Sequence, residues 1–328
     1  MTDQAETAPP RDRVSRLRRQ AAVVDFRDYG IVVAFIVLFL VLTVSTSTFF
    51  TTRNFGNILD QYAALGLLAI GETVCIIAGI FDLSLGAIVS VSAVVAAKTA
   101  LSASPELGLL AGVLTGVGLG IVNGVVIHFT RINPFIGTLA TSIVFAGFAV
   151  IITGGNIVTV TDPSFGKIGQ NSFAGIKFTG WTFLIFTLLA AMLLARTTFG
   201  RYVYAVGGNQ EAARLSGIRV GFIRGACFAF SGASAGIAGM LLASRTQSAQ
   251  ANLGSGLELT AISAAVVGGT SIFGGDGAVW RGFLGILLLA IIGNGFTLLN
   301  INTTYQQIVY GTLILVAVAA DQLLRRRP

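Results

Sequence analysis

Charged side chains are scarce in this sequence. Asp, Glu, Lys and Arg make up 11% of the 328 residues, against about 25% in a typical soluble domain. Apolar residues make up 54% of the chain and fall in long uninterrupted runs, so that the mean hydropathy is +0.83. These values exclude a water-soluble globule and a disordered chain. They predict an all-α polytopic membrane protein built mostly of apolar helices.

Cysteine and histidine are almost absent. Cys75 and Cys227 both lie inside apolar runs, which is typical of small buried hydrophobes and not of a disulfide. His128 has no partner at a metal-ligand spacing. The sequence also contains no G-x-x-x-x-G-K-[ST], H-E-x-x-H or C-x-x-C motif. We therefore expect no metal site and no enzymatic activity, and energy for any transport must come from an ion gradient or a partner subunit.

About ten apolar runs are long enough to cross a bilayer, which takes about 20 residues. They are 29–49, 61–80, 83–102, 107–127, 134–153, 180–196, 221–244, 258–273, 279–299 and 304–323. The run 258–273 is short and rich in glycine, so it predicts a broken or re-entrant helix.

The basic residues indicate which side of the membrane each loop faces. With both termini in the cytoplasm, 16 of the 21 Lys and Arg residues fall on the inner side, in keeping with the positive-inside rule. The exceptions are Arg53, Lys98, Lys167, Lys177 and Arg245. The net charge of +7 is therefore explained by basic residues in the cytoplasmic loops, and it does not indicate nucleic-acid binding.

This topology divides the chain into a basic cytoplasmic tail at 1–28, a membrane domain at 29–323 and a second basic tail at 324–328. Two connections within the membrane domain are long. The segment 154–179 is expected outside, and 197–220, the most polar stretch between helices, is expected in the cytoplasm.

Glycine is abundant, with 41 residues, and several recur at helical spacing. One such row lies on the fourth span, and a second small-residue pair lies on the seventh. The residues are Gly112, Gly116, Gly120 and Gly124, then Gly232 and Gly236. Small residues on one face let helix backbones approach closely. We expect tight packing within the molecule, in preference to a dimer interface.

A few polar residues at membrane depth are candidates for a translocation path. Glu72 lies near the middle of the second span, where a hydrogen-bonded structural role is an equal alternative to ion coupling. Asp82 and Ser84 begin the third span, and Asp82 there favours a helix N-cap. Asn123-Gly124 is echoed by Asn294-Gly295, which hints at an internal repeat.

The inner loop has the pattern of a short amphipathic helix. Asn209 is suited to cap it, Glu211 fits its positive N-terminus, and Gly217 is suited to end it. Its small apolar face comprises Ala212, Ala213, Leu215 and Ile218. Because this helix lies outside the bilayer, we expect it to dock a soluble partner. The alternative is an interfacial helix that lies on the lipid.

Glu211-Ala212-Ala213 followed by Gly217 resembles the E-A-A-x-x-x-G coupling motif of permeases from ATP-binding cassette (ABC) importers. The stretch from Phe199 to Asn209 resembles one branch of them, the ribose-type sugar permeases. Residues 80–86, 267–275 and 294–295 also fit that branch, and the likeness covers about 55–322.

This resemblance implies a paired permease, a homodimer or heterodimer, in the bacterial cytoplasmic (inner) membrane. It would import a monosaccharide, such as a ribose-like pentose, a hexose or a small polyol, delivered by an extracytoplasmic binding protein. ATP and Mg²⁺ would be bound by a sugar-type ATPase partner and not by this chain. The residues implied in coupling to that ATPase are Arg201, Gly207, Asn209, Glu211, Ala212, Ala213 and Gly217. The alternatives are a branched-chain amino acid permease and an ion-gradient-driven carrier that uses Glu72.

Overall fold

The computed structural model describes residues 30–302 and 304–325, and these are almost entirely helical. In chain order the elements are α1 (Gly30–Ser45), α2 (Thr52–Ile77), α3 (Leu85–Ser102), α4 (Pro105–Thr130), α5 (Pro134–Thr153), β1 (Val158–Thr159), α6 (Pro163–Gln170), β2 (Ser172–Phe173), β3 (Ile176–Lys177), α7 (Phe178–Arg196), α8 (Thr198–Gly208), α9 (Gln210–Leu215), α10 (Val220–Thr246), β4 (Ser248–Ala249), α11 (Leu257–Val267), α12 (Val279–Leu298) and α13 (Thr304–Arg325). The N-terminal tail and residues 326–328 lie outside the described residues.

Every predicted apolar run contains a helix, which confirms the all-α polytopic membrane fold. Seven helices of the described chain are long and apolar enough to cross a membrane, namely α2, α3, α4, α5, α7, α10 and α12. Helices α1 and α11 are apolar but shorter. Helix α11 ends at Val267 and is followed by a glycine-rich turn, so the run 258–273 is indeed interrupted. The number of about ten spans stays a prediction.

Some helix boundaries differ from the sequence prediction. Helix α2 begins at Thr52, well before the predicted residue 61, and the hydroxyl of Thr51 caps it by accepting from the amide of Asn54 at 3.2 Å. The first turns of α2 contain Asn54 and Asp60, which hydropathy counts as loop but tertiary contacts bury. Helix α1 ends at Ser45, before the predicted residue 49.

Helix α2 forms the centre of the bundle. Its side chains from Leu67 to Ile70 and from Val74 to Ile77 are inaccessible to solvent. Helices α7, α10, α11 and α12 pack around it. By contrast, α5 exposes a broad apolar face that includes Ile143 and Ile151, as suits a helix that faces lipid.

The glycine row of α4 packs directly against α10. A Cβ atom at Gly116 would overlap the backbone of Gly232 and Gly236, and one at Gly120 would overlap the carbonyl oxygen of Phe228. Gly112 faces α3 instead. The prediction of close helix packing within the molecule is confirmed, and these glycines are needed because backbone meets backbone.

On the predicted outer side, the segment between α5 and α7 is folded onto the end of α10. Strand β1 pairs with β4 in antiparallel fashion, with Val158 opposite Ala249. In α6, the amide of Gly169 donates to the hydroxyl of Ser244 at 2.9 Å. Strands β2 and β3 pair as a small hairpin, which is the second two-stranded sheet of the described chain. This face of the molecule is therefore closed by ordered structure.

Candidate functional site: the α8–α9 surface and a buried polar cluster

The inner loop forms two helices, α8 and α9, where the sequence predicted one. The side chain of Asn209 accepts from the amide of Ala212 at 2.9 Å and so caps α9, as predicted. Gly217 has φ +82°. Its amide bonds to the carbonyl of Arg214, and the next amide, of Ile218, bonds to Ala213, both at 3.0 Å. These two bonds form a Schellman motif, which confirms that Gly217 ends the helix.

The apolar side of α9 is divided between two faces. Ala213 is 5% exposed and packs on the protein, with Ile218 half-buried beside it. Ala212 is exposed, and Leu215 is 78% exposed. The predicted single apolar face is therefore wrong, because only part of it points outward. The exposed part lies next to Glu211 and is available to a partner.

An ion pair borders this exposed surface. The carboxylate of Glu211 accepts from the guanidinium of Arg214 at 2.6 Å, and both side chains are exposed. The hydrogen bond to Glu211 raises the pKa of Arg214 above its ordinary value. The exposed surface of α9, on the predicted inner side, is thus a small apolar patch with one positive and one negative charge that pair with each other.

Helix α8 anchors α9 to the membrane domain. Gly207 lies against the carbonyl of Ile77 at the end of α2, where a Cβ atom would overlap that oxygen. The same carbonyl accepts from the amide of Gly275 at 2.9 Å. Gly274 approaches Gly79 and Gly207 through backbone atoms. We call this group of Ile77, Gly79, Gly207, Gly274 and Gly275 the inner junction.

A side-chain contact supports the inner junction. The hydroxyl of Tyr204 donates to the carbonyl of Gly277 at 2.9 Å, and burial raises the pKa of this phenol. A neutral phenol is the form that can donate this hydrogen bond. Arg201, by contrast, is exposed on α8. Of the predicted coupling residues, Gly207 is thus a packing residue of the junction, whereas Arg201 lies on the surface.

Most of the candidate path residues come together in one cluster that solvent does not reach. Asp82 is its centre: Oδ1 accepts from the amide and the hydroxyl of Ser84 at 3.1 and 2.5 Å. The amide of Asp82 points at both carboxylate oxygens of Glu72 at 3.3 Å. Asn123 donates to the hydroxyl of Ser84 at 2.6 Å. All four side chains have zero exposure. We call these residues, with Ser231, the buried polar cluster.

One sequence expectation about these residues is wrong. Asp82 does not cap α3, because Ser84 occupies the N-cap position and Asp82 instead bonds back to the Ser84 amide. Asn294 lies apart from the cluster and forms a reciprocal amide pair with Asn54 at 2.8 and 3.0 Å. Whether the buried polar cluster belongs to a translocation path stays a prediction.

The sequence did not single out Ser231 or Thr138. Ser231 donates to Oδ2 of Asp82 at 2.9 Å, and Thr138 accepts from the amide of Leu83 at 3.1 Å. They lie on α10 and α5, far from Asp82 in sequence. A serine among small residues on a membrane helix is a common packing residue, so the sequence carried no signal for either one.

Asp60 was missed as well, and it organises the outer side. Its carboxylate accepts from Lys177 at 2.8 Å and from the hydroxyl of Thr179 at 2.7 Å, while Arg245 lies 3.6 Å away. The Asp60 side chain is only 5% exposed. We call this group of Asp60, Lys177, Thr179 and Arg245 the outer clamp, because it ties α2 to α7 and α10.

Replacing Asp82 by alanine is expected to destabilise the protein by about 2 kcal/mol, since buried donors on Ser84 and Ser231 lose their acceptor. The measurement is the thermal unfolding of the purified protein in detergent. Glu106→Gln is the control, because Glu106 is an exposed acid in the first turn of α4. Equal stability of the two variants would contradict the role of Asp82 as the centre of the cluster.

Comparison with known proteins agrees with this architecture. Residues 54–318 match a family described as "Branched-chain amino acid transport system / permease component". The chain is 38% identical over 300 residues to the L-arabinose ABC transporter permease protein of Azospirillum brasilense, covering 91% of this chain and 88% of that one. It is 37% identical over 289 residues to the ribose import permease protein of Bacillus subtilis (strain 168), covering 87% and 90%.

A third relative has another sugar in its name. The chain is 37% identical over 286 residues to the D-allose transport system permease protein of Escherichia coli (strain K12), covering 87% of this chain and 88% of that one. No solved structure matches the chain. The resemblance found in the sequence is confirmed.

Proposed function

Because the chain belongs to the family described as branched-chain amino acid transport system / permease component, we propose that it is the membrane-spanning permease of an ABC importer for a monosaccharide. Arabinose, ribose and allose stand in the names of its relatives, which favours a sugar over the amino acids of the family description. Its place is the cytoplasmic membrane of a bacterium, as one of two permease copies. Identifying the ligands of the partner binding protein would show which sugar is transported.

The observation that carries this proposal is the construction of α9. The helix is capped at both ends, held on the membrane domain by Ala213 and α8, and exposes Ala212, Leu215 and Glu211. A six-residue helix needs such fixed ends, because isolated short helices are unstable in water. A rigid, exposed helix of this kind is suited to dock into a groove of a soluble subunit. That subunit would be the ATPase that binds ATP and Mg²⁺.

The outer side is suited to a second partner. The folded segment between α5 and α7, joined to α10 through β1 and β4, presents a defined surface opposite to α9. We infer that the extracytoplasmic binding protein docks there. The ion-gradient alternative has less support, because Glu72 is enclosed and points at the Asp82 amide.

The test of the proposal is whether α9 binds the ATPase. Ala212→Arg and Glu211→Lys place a positive charge on the exposed surface, and each is expected to lower co-purification of the ATPase at least about tenfold, the effect of about 1.4 kcal/mol. Gly217→Val is expected to have the same result, because valine is strained at φ +82°. ATP turnover stimulated by loaded binding protein should fall in parallel.

Asn171→Lys is the matched control, since it adds a positive charge to an exposed residue of the outer segment. This variant should co-purify with the ATPase as the unchanged protein does. Normal association and normal stimulated turnover in all three α9 variants would show that α9 does not couple, and the proposal would lose its main support.

A further inference from the structure

A cavity of about 770 Å³ opens at the inner side between the end of α4 and the start of α10. Its walls are mostly apolar and include Ile121, Val125, Phe129, Phe222 and Ala226. Phe129 is 77% exposed and Phe222 is 65% exposed. On the predicted topology these side chains lie at the level of the inner leaflet, so the cavity opens toward lipid.

A second cavity of about 430 Å³ adjoins the first and shares Gly124, His128 and Gly221 with it. Its lining is basic: it contains His128, Arg131, Arg214 and Arg224. No Asp or Glu lines either cavity within the described part of the chain. A positive site thus continues directly into an apolar slot.

The charges of this site are largely uncompensated. Arg214 is paired with Glu211, but residues 30–302 and 304–325 give no carboxylate partner to Arg131 or Arg224. The Nε atom of Arg224 is buried and has no hydrogen-bond partner among the described residues. Burial of a donor without an acceptor is costly, and a bound anion would relieve that cost.

We propose that this double cavity binds one anionic phospholipid of the cytoplasmic leaflet. The phosphodiester would lie between Arg131 and Arg224, and one acyl chain would fill the slot beside Val125 and Ala226. Basic pockets between membrane helices on the cytoplasmic side suit such headgroups. The apolar slot selects a lipid over a soluble phosphate, because a free anion would leave it empty. Since Arg214 belongs to α9, the lipid would brace the helix that we assign to coupling.

The experiment uses the full-length permease purified in neutral detergent. A tail-labelled phosphatidylglycerol is bound, and its displacement by phosphatidylglycerol, phosphatidylcholine or inorganic phosphate is followed by fluorescence anisotropy. Each arginine near the membrane surface contributes about fivefold to the affinity for an anionic lipid. We therefore expect Arg131→Gln and Arg224→Gln each to weaken binding of phosphatidylglycerol by about that factor.

Arg196→Gln is the matched control, because Arg196 is an exposed arginine at the inner end of α7 that lines neither cavity. It should bind phosphatidylglycerol unchanged. Ala226→Phe fills the slot, retains every charge, and should also weaken binding; size-exclusion profiles report whether each variant is folded.

The proposal would be overturned if phosphatidylcholine displaced the labelled lipid as effectively as phosphatidylglycerol does. It would also be overturned if inorganic phosphate, with no lipid added, displaced the labelled lipid. The third contrary result is unchanged binding of phosphatidylglycerol by the folded Arg131→Gln and Ala226→Phe variants. None of them concerns uptake or the ATPase, so the permease assignment would stand in each case.

Discussion

Substitution of Gly116 by valine is expected to prevent α4 from packing on α10. At Gly116 the backbone of Gly236 is so near that even a methyl group has no room. A flexible side chain could move aside, but the atoms nearest to Gly116 are backbone atoms of α10. The two helices must therefore separate. We expect a loss of about 3 kcal/mol or more, the upper end for overpacked cores. The measurement is the yield of monodisperse protein and its unfolding temperature.

Gly118 offers a matched comparison on the same helix. It lies two residues further along, and a Cβ atom there would meet nothing within 4 Å. Gly118→Ala should therefore be neutral or stabilise the helix by up to about 1 kcal/mol, because alanine is the better helix former. Gly116→Ala should instead destabilise it. If both alanine variants were equally stable, the close contact between α4 and α10 would be refuted.

Gly207→Ala is expected to disrupt the inner junction and to lower stimulated ATP turnover. The new methyl group would collide with the carbonyl oxygen of Ile77, which is the acceptor for the amide of Gly275. Relief requires α8 to shift away from α2, and α9 must move with it. We therefore expect stimulated ATP turnover to fall at least about tenfold, because a misplaced α9 would bind the ATPase less tightly by about 1.4 kcal/mol or more.

The adjacent glycine is the control. A Cβ atom on Gly208 would meet only the Cα of Gly275, at 3.9 Å, which is ordinary van der Waals contact. Gly208→Ala should retain both the fold and the stimulated turnover. Should Gly207→Ala behave like Gly208→Ala in pull-down and turnover assays, α8 would not set the position of α9.

Local patterns predicted the parts of this protein that are determined locally. Hydropathy located the apolar helices, because each must be about as long as the bilayer is thick. The caps of α9 followed from Asn209 and Gly217, whose partners lie within a few residues along the chain. The predicted helix boundaries were wrong where tertiary contacts bury polar residues, as at Asp60 in α2.

The contacts of the candidate path residues were predicted less well, because they join residues that are distant in sequence. Asp82 meets Ser231 on α10, and nothing near either residue marks the pairing. Asn294 follows the same Asn-Gly pattern as Asn123 but pairs with Asn54. Gly207 belongs to a motif associated with coupling, yet its surroundings show a packing role, which only the approach of α2 reveals.

Helix α2 has fixed points at both ends. The outer clamp holds it at Asp60 and the inner junction holds it at Ile77, and the part of the helix between them is about 25 Å long at 1.5 Å per residue. A rod anchored in this way cannot be displaced at one end without being tilted at the other. A displacement of α2 at Ile77 would therefore also strain the contacts that Asp60 makes with Lys177 and Thr179. The contacts at the two ends of the molecule are thus linked mechanically through a single helix.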